Sequence, residues 1–240
     1  VDEIHVANNL DGTFKIKARI VILAAGGIEN ARLLLLSNIG NAHDQVGKYH
    51  MDHPKGILGS IALNPKISWN RLYWNLPKFL GHANIGTRLT DTEQKTKRVL
   101  NSYVRFEPVY KAGALAKIGR KLRLTPENIT RISVRNYLEQ APNPENRVRL
   151  GSKKDRFENP LPVVDWSISE LDRKTLLVLH ETLRDELARL GIGKLTSKLL
   201  DNPAEELKFR DASHHMGTTR MGTDPSTSVV DANCKVHGMD

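Results

Sequence analysis

The run Ile20-Val21-Ile22-Leu23-Ala24-Ala25 is the tightest constraint on what this chain can fold into. It is continuously apolar rather than alternating, which is the pattern of a strand buried on both faces. It falls far short of the roughly 20 residues needed to cross a bilayer. The run stops at Gly26-Gly27 and is followed by Ile28-Glu29-Asn30-Ala31-Arg32 and Leu33 to Leu36, a good helix former. The unit is therefore expected to be strand, glycine turn, helix. Upstream, Ile4 and Val6 alternate before Asp11-Gly12, and Phe14, Ile16, Ala18 and Ile20 alternate after it, so residues 4 to 23 are expected to form a hairpin. Small residues where a helix begins leave backbone N–H groups open to a phosphate or a ring system, and they equally permit tight strand-to-helix packing.

Beyond residue 54 the chain changes character. Short apolar runs at 57 to 63, 99 to 106 and 129 to 138 are separated by Pro, Gly and Asn, as in an antiparallel sheet. Arg131 to Leu138 alternates and Arg147 to Leu150 follows a Pro/Asn-rich stretch, which predicts a second hairpin between them. Leu176, Leu179, Leu183, Leu187 and Leu190 mark one face of a helix over 170 to 190, with Ser169 and Asp172 as a capping box and Gly191 as the stop. This helix is expected to back the sheet. Residues 111 to 123 carry Lys111, Lys117, Arg120, Lys121 and Arg123 among leucines at helical spacing, which reads as a solvated helix face.

A length of 240 residues with 39% hydrophobic content allows one large domain or two small ones. The formal charge of +9 admits an anionic partner, but the basic residues are spread along the chain and aromatics are only 5%. The single Cys234 excludes an intrachain disulfide framework and slightly favours the cytoplasm. The chain opens on Val1 with strand-like alternation and no signal-peptide pattern, so a missing N-terminus is expected and the compartment is not readable from it.

The most unusual local sequence is Ser213-His214-His215-Met216-Gly217-Thr218-Thr219-Arg220-Met221-Gly222-Thr223-Asp224-Pro225. It is polar and turn-rich, unsuited to a helix core or strand interior, and loops of this kind carry function. A histidine's ordinary pKa of about 6.5 leaves much of it neutral near pH 7, able to take a proton from a hydroxyl.

Read on to Asp240, this stretch resembles the C-terminal region of the glucose-methanol-choline (GMC) family of FAD oxidoreductases. Three further segments are similar to the same family in the same order. Val21 to Leu36 resembles its strand and glycine turn near the flavin, Val46 to Pro54 its "VGxxxxDHP" stretch, and Glu139 to Leu150 its "EQxPNPxxRVxL" element. The resemblance implies a mixed α+β and α/β fold: part of an FAD-binding domain plus a substrate domain of antiparallel sheet backed by helices. It divides the chain into 1–47, part of the FAD domain; 48–210, the substrate domain; and 211–240, a return segment with the histidine loop. It implies FAD as cofactor with Ala25, Gly26 and Gly27 against it, and oxidation of an alcohol or sugar CH–OH group with His214, three positions before Gly217, as the catalytic base. His215 is then a neighbour, and the family's second catalytic residue falls beyond Asp240.

Two departures bear on this. The family's GxGxxG is absent, so the chain is expected to be a fragment that is inactive alone. Gly26-Gly27-Ile28-Glu29-Asn30 also differs from the commoner family form with Ser/Thr and Pro after the turn, which leaves the substrate and the electron acceptor open. Two rival readings stand beside it. One is a zinc site drawn from His50, His53, His214, His215, Cys234 and His237, although no CxxC pair occurs. The other is a basic module for nucleic acid or anionic membrane, although no recognised motif supports it. The expectation is neither metal nor nucleic acid.

Overall fold

A computed structural model describes residues 3–8, 12–66, 86–109, 129, 131–203 and 206–239. The basic segment at 111 to 123 lies outside the described residues. The chain divides into two compact units: Val1–Asp52 with Pro142–Ser167 and Ser213–Asp240, and His53–Ala141 with Ile168–Ala212. Residues 142–167, within the span expected as one substrate domain, thus cluster with the first unit.

In the first unit, β1 (Ile4–Ala7) and β2 (Thr13–Ile16) pair antiparallel with Ile4 opposite Ile16, as the Asp-Gly signal predicts. The expected buried strand does not follow. Ile20 and Ile22 are 80% and 82% exposed, and 20–25 forms no strand. A strand with two apolar faces needs neighbours on both sides, and among the described residues none pairs with this run. Its end is nevertheless fixed: Ala25 N donates to Asn30 Oδ1, and Asn30 Nδ2 donates to Leu23 O. Helix α1 (Gly26–Leu36) then buries Ala31 and Leu34 against Val46, Val148 and Val229.

β7 (Arg147–Lys154) pairs with β8 (Pro160–Asp165), not with the 131–138 strand as the sequence suggested. The turn between them is closed by Asp155 Oδ1, which accepts from Phe157 N and Asn159 N. Arg32 of α1 donates to Pro160 O at 2.8 Å and to Asp155 Oδ2 at 2.7 Å, pinning the helix to this hairpin. An arginine fork held by two fixed acceptors is stiffer than a surface ion pair.

The second unit is an antiparallel sheet of order β4-β5-β6-β3-β9. Its strands are β3 (Lys55–Leu63), β4 (Thr87–Arg88), β5 (Ser102–Pro108), β6 (Arg131–Leu138) and β9 (Gly193–Ser197). A short helix, α2 (Asp91–Lys97), follows β4 under a Thr90 capping box. Even-numbered residues of β5 and β6 are buried, and odd-numbered ones are half-buried or exposed, apart from intermediate Pro108.

Helix α3 (Glu170–Arg189) covers the buried face, capped by Ser169 and Asp172 in the expected box. Leu179, Leu183 and Leu187 pack with Val104, Phe106, Ile132 and Val134. Leu190, expected on the same stripe, is the C-cap residue of the helix and is 53% exposed. The final helix α4 (Lys198–Asp201) buries Leu199 with Leu58, Leu138 and Leu176.

A polar contact crosses this core. His180 of α3 is fully buried, with Nδ1 2.7 Å from Ser197 Oγ and Nε2 2.9 Å from Asn136 Oδ1. Asn136 Nδ2 donates to Val134 O, so its Oδ1 is the acceptor facing the imidazole. The proton therefore sits on Nε2, and Nδ1 accepts from the serine. Burial holds the His180 pKa down at about 4, so the ring is neutral near pH 7.

Candidate functional site

The histidine loop belongs to the first unit and has no regular secondary structure of its own. It is held by backbone pairing to residues far upstream. Met51 and Met216 exchange two N–H···O bonds of 3.0 Å, and Gly47 N donates to Thr218 O at 2.8 Å. Gly47 O in turn accepts from Val148 N, and His50 N donates to Asn146 O. Segments from the "VG…D", "PNP…RV" and "HHMG" stretches are thereby laced together by backbone hydrogen bonds. Gly217 is required there: φ is +90° and a Cβ would run into Tyr49 O.

Arg220 is the central tie. Its guanidinium lies 4.1 Å over the Tyr49 ring and donates to Lys48 O, Gly217 O, Gln45 Oε1 and Thr227 O. Burial lowers its pKa, with Tyr49 opposing that shift. With four protein acceptors it organises the loop.

His214 is exposed, and its backbone N–H donates to the Oδ1 of buried Asp52 at 3.0 Å. His215 is half-buried, with its ring 5.3 Å from that of His50 at a 40° tilt. His50 is 3% exposed, and among the described residues nothing hydrogen-bonds its Nδ1. Burial first, then His215, pushes its pKa down against the opposing pull of Asp52, so it is a neutral ring. The adjacent pair 214 and 215 thus differs in environment: His214 is an exposed residue, and the His215 ring lies against a buried neighbour.

The glycine turn meets this loop. Ala25 is the N-cap of α1, which has no side-chain cap, and Gly26 opens the helix at φ +86°. Thr218 Oγ1 donates to Gly27 O at 2.5 Å, and a Cβ on Gly27 would lie 2.8 Å from His215 O. On the other side, a Cβ on Gly26 would meet no atom within 4 Å. Ala25, Gly26 and Gly27 therefore bridge a packed contact to the histidine loop and an open space.

Sequence reasoning assigned no role to Asp52 or Arg220, and named His50 only as a candidate ligand in the zinc reading. Each lies inside a quoted stretch, but the Asp52–His214 bond spans 162 residues and no spacing rule announces it. Of the zinc-reading residues, His237 Nε2 is engaged by Ser228 Oγ and Gly222 O, Cys234 is exposed, and His53 Nδ1 lies 3.3 Å from Leu138 O.

Residues 142–240 match the family model described as GMC oxidoreductase. Residues 142–240 belong to the GMC oxidoreductase family. Similarity to individual members runs along most of the chain. Paromamine 6'-oxidase of Streptomyces fradiae is 25% identical over 94% of this chain and 40% of its own length. The fructose dehydrogenase large subunit of Gluconobacter japonicus is 28% identical over 93% of this chain and 41% of its own. The chain thus spans about two fifths of the length of these curated relatives.

Among solved structures, pyridoxine 4-oxidase from Mesorbium loti aligns with a TM-score of 0.54 at 18% identity, covering 100% of this chain and 48% of that one. A formate oxidase of Aspergillus oryzae RIB40, from work on FAD modification, aligns at 0.53 and 17%, covering 99% and 51%. These GMC likenesses establish the mixed α+β fold with its antiparallel sheet backed by helices. Among the described residues no helix is long and apolar enough to cross a membrane.

Proposed function

We propose that this chain forms part of an FAD-dependent oxidoreductase acting on the CH–OH group of a small alcohol or sugar, with His214 as the proton acceptor. The observation that carries this reading is the junction of the glycine turn with the histidine loop, through the Thr218–Gly27 hydrogen bond and the close approach of Gly27 to His215. It joins the two elements that such chemistry needs side by side.

The residues present fit one side of a flavin site. The open space at Gly26 lets a ring edge or phosphate approach the backbone, and the uncapped start of α1 directs N–H groups and the positive end of the helix dipole outward. Ala25, Gly26 and Gly27 would line that approach. Bound flavin would supply the acceptor for the carbon-bound hydride.

The protein's own contribution is position and a base. Asp52 anchors the His214 backbone, and Arg220 and Gly217 fix the turn beyond it. The exposed His214 imidazole can then meet a substrate hydroxyl and take its proton as the C–H bond breaks. A positioned base of this kind contributes about 10²–10⁴-fold in rate. His215, beside His50, supports the loop. The relatives' names point to sugars and related alcohols as substrates.

The test is to purify the protein from its complete coding sequence, record its visible spectrum, and mix it anaerobically with a panel of sugars and alcohols. The expected result is a flavin spectrum that bleaches with at least one of them. A colourless protein, or a flavin that none of them reduces, would contradict the reading. In Gly26→Val the side chain enters the open space, and flavin content per folded protein is expected to fall.

A further inference from the structure

We propose that the cavity between α3 and the β4 edge of the five-stranded sheet binds an organic cation: a small apolar body that carries one ammonium group. The inference concerns the second unit alone and is independent of the flavin reading.

The cavity has a volume of about 340 Å³, within the range of small-molecule sites. Leu179, Leu183 and Glu186 line it at i, i+4 and i+7 of α3, so one stripe of the helix faces the opening. Val104 of β5 supplies the sheet side, and Leu89 follows directly after β4, which pairs with β5 at the sheet edge. Leu89, Val104, Leu179 and Leu183 all belong to the apolar core of this unit. The floor is therefore continuous with that core and made of aliphatic side chains. Such a floor rewards an apolar body and gives a small hydrated ion nothing in return for its water.

The charged residues of the lining are Arg88, Glu93 and Glu186. Two of them are already answered within the chain. Arg88 donates to Asp91 Oδ1 at 2.5 Å, which holds the Asp91 carboxyl below the usual range. Glu186 accepts from Arg189 at 2.6 Å, and its own carboxyl is lowered in the same way. Glu93 is different. Its Oε2 accepts from the N–H and the hydroxyl of Thr90 in the capping box of α2. Among the described residues its Oε1 has no hydrogen-bond partner and its carboxylate makes no ion pair. The two paired sets cancel, so Glu93 leaves one net negative charge at the cavity, on a chain whose formal charge is +9.

An ammonium group answers Glu93, because it brings both the opposite charge and N–H donors to the open Oε1. An aliphatic or aromatic body answers the floor, by removing its own surface from water against the leucines. An anion of the same shape would meet two carboxylates instead, and a bare ammonium would leave the floor unused.

Ligand-observed NMR titration of the 240-residue chain with phenethylammonium, hydrocinnamate and methylammonium, at matched ionic strength, tests this. Hydrocinnamate carries a carboxylate in place of the ammonium, and methylammonium has the charge without the body. Phenethylammonium is expected to bind at least about tenfold more tightly than either, since only it satisfies both the charge and the floor. Glu93→Gln keeps an acceptor for the capping box, where glutamine also serves, and should weaken phenethylammonium by about fivefold. Arg189→Gln releases Glu186 from its cation and should strengthen binding by about twofold. Glu145→Gln makes the same charge change in the other unit and should leave binding unchanged. If Glu93→Gln fails to fold by circular dichroism, Arg189→Gln carries the test alone. Hydrocinnamate or methylammonium binding as tightly as phenethylammonium would overturn the proposal. So would affinity unmoved in the folded cavity variants, an equal loss in Glu145→Gln, or no binding of any probe.

Discussion

The five-stranded sheet with α3 and the histidine loop are built on opposite plans. In the sheet unit, burial follows sequence periods: every second residue of β6 is buried, and Leu176, Leu179, Leu183 and Leu187 repeat at helical spacing on α3. The loop has no period, and its residues are fixed by backbone bonds and one arginine reaching to positions more than 160 residues upstream. The first plan yields stability that is spread over many apolar contacts. The second yields a geometry that depends on a few polar pins, and it is the plan used where chemistry is proposed.

If that contrast holds, the two plans should break differently. Leu179→Ala removes a side chain that is 3% exposed between α3 and the sheet. It is expected to lower unfolding free energy by about 2–5 kcal/mol in urea melts. A loss below about 1 kcal/mol would mean that apolar packing does not carry this unit.

The polar contact across the same core gives a second, smaller effect. His180 has its pKa lowered to about 4, below the ordinary 6.5, so the unfolded chain takes the proton first as pH falls. The His180 contribution is therefore complete above about pH 6.5, declines between 6.5 and 4, and is flat below. Its full size is about 3 kcal/mol, by the linkage of that shift to stability. In His180→Gln the slope of stability against pH across this window should flatten, and an unchanged slope would show that another group titrates there.

The smallest effect is at the helix start. Ser169→Ala removes the acceptor for Asp172 N and should cost about 1 kcal/mol, visible as a small shift in urea midpoint with no change in slope.

What was legible in the sequence follows the same division. Asp11-Gly12 announced the β1–β2 hairpin, and the Ser169 box with its leucine stripe announced α3, because turn chemistry, caps and periodicity act over a few residues. Pairing partners were less accessible. Alternation in Arg131 to Leu138 reveals which face is buried but not which strand lies beside it. β6 pairs with β3 and β5, while β7 turns back onto β8 through Asp155. The exposed Ile20 to Leu23 run shows the limit from the other side, since burial depends on partners that a local pattern cannot supply.

At the site, the resemblance singled out His214 and the glycine turn, and the structure places the turn and the loop in contact. Asp52 and Arg220 were not assigned, because a hydrogen bond between distant loops leaves no local mark. His180 did leave one: it lies four residues after Leu176 and three before Leu183, on the apolar stripe itself, where a histidine must find partners or stay neutral.

The most direct measurement compares His214→Ala with His215→Ala in the flavin-loaded protein, by the anaerobic rate of substrate-driven flavin reduction. The account predicts that His214→Ala keeps its flavin absorbance and loses reduction by about 10²-fold or more, while His215→Ala retains most of its rate. Normal reduction in His214→Ala with an inactive His215→Ala would contradict it, and would move the base to the ring beside His50.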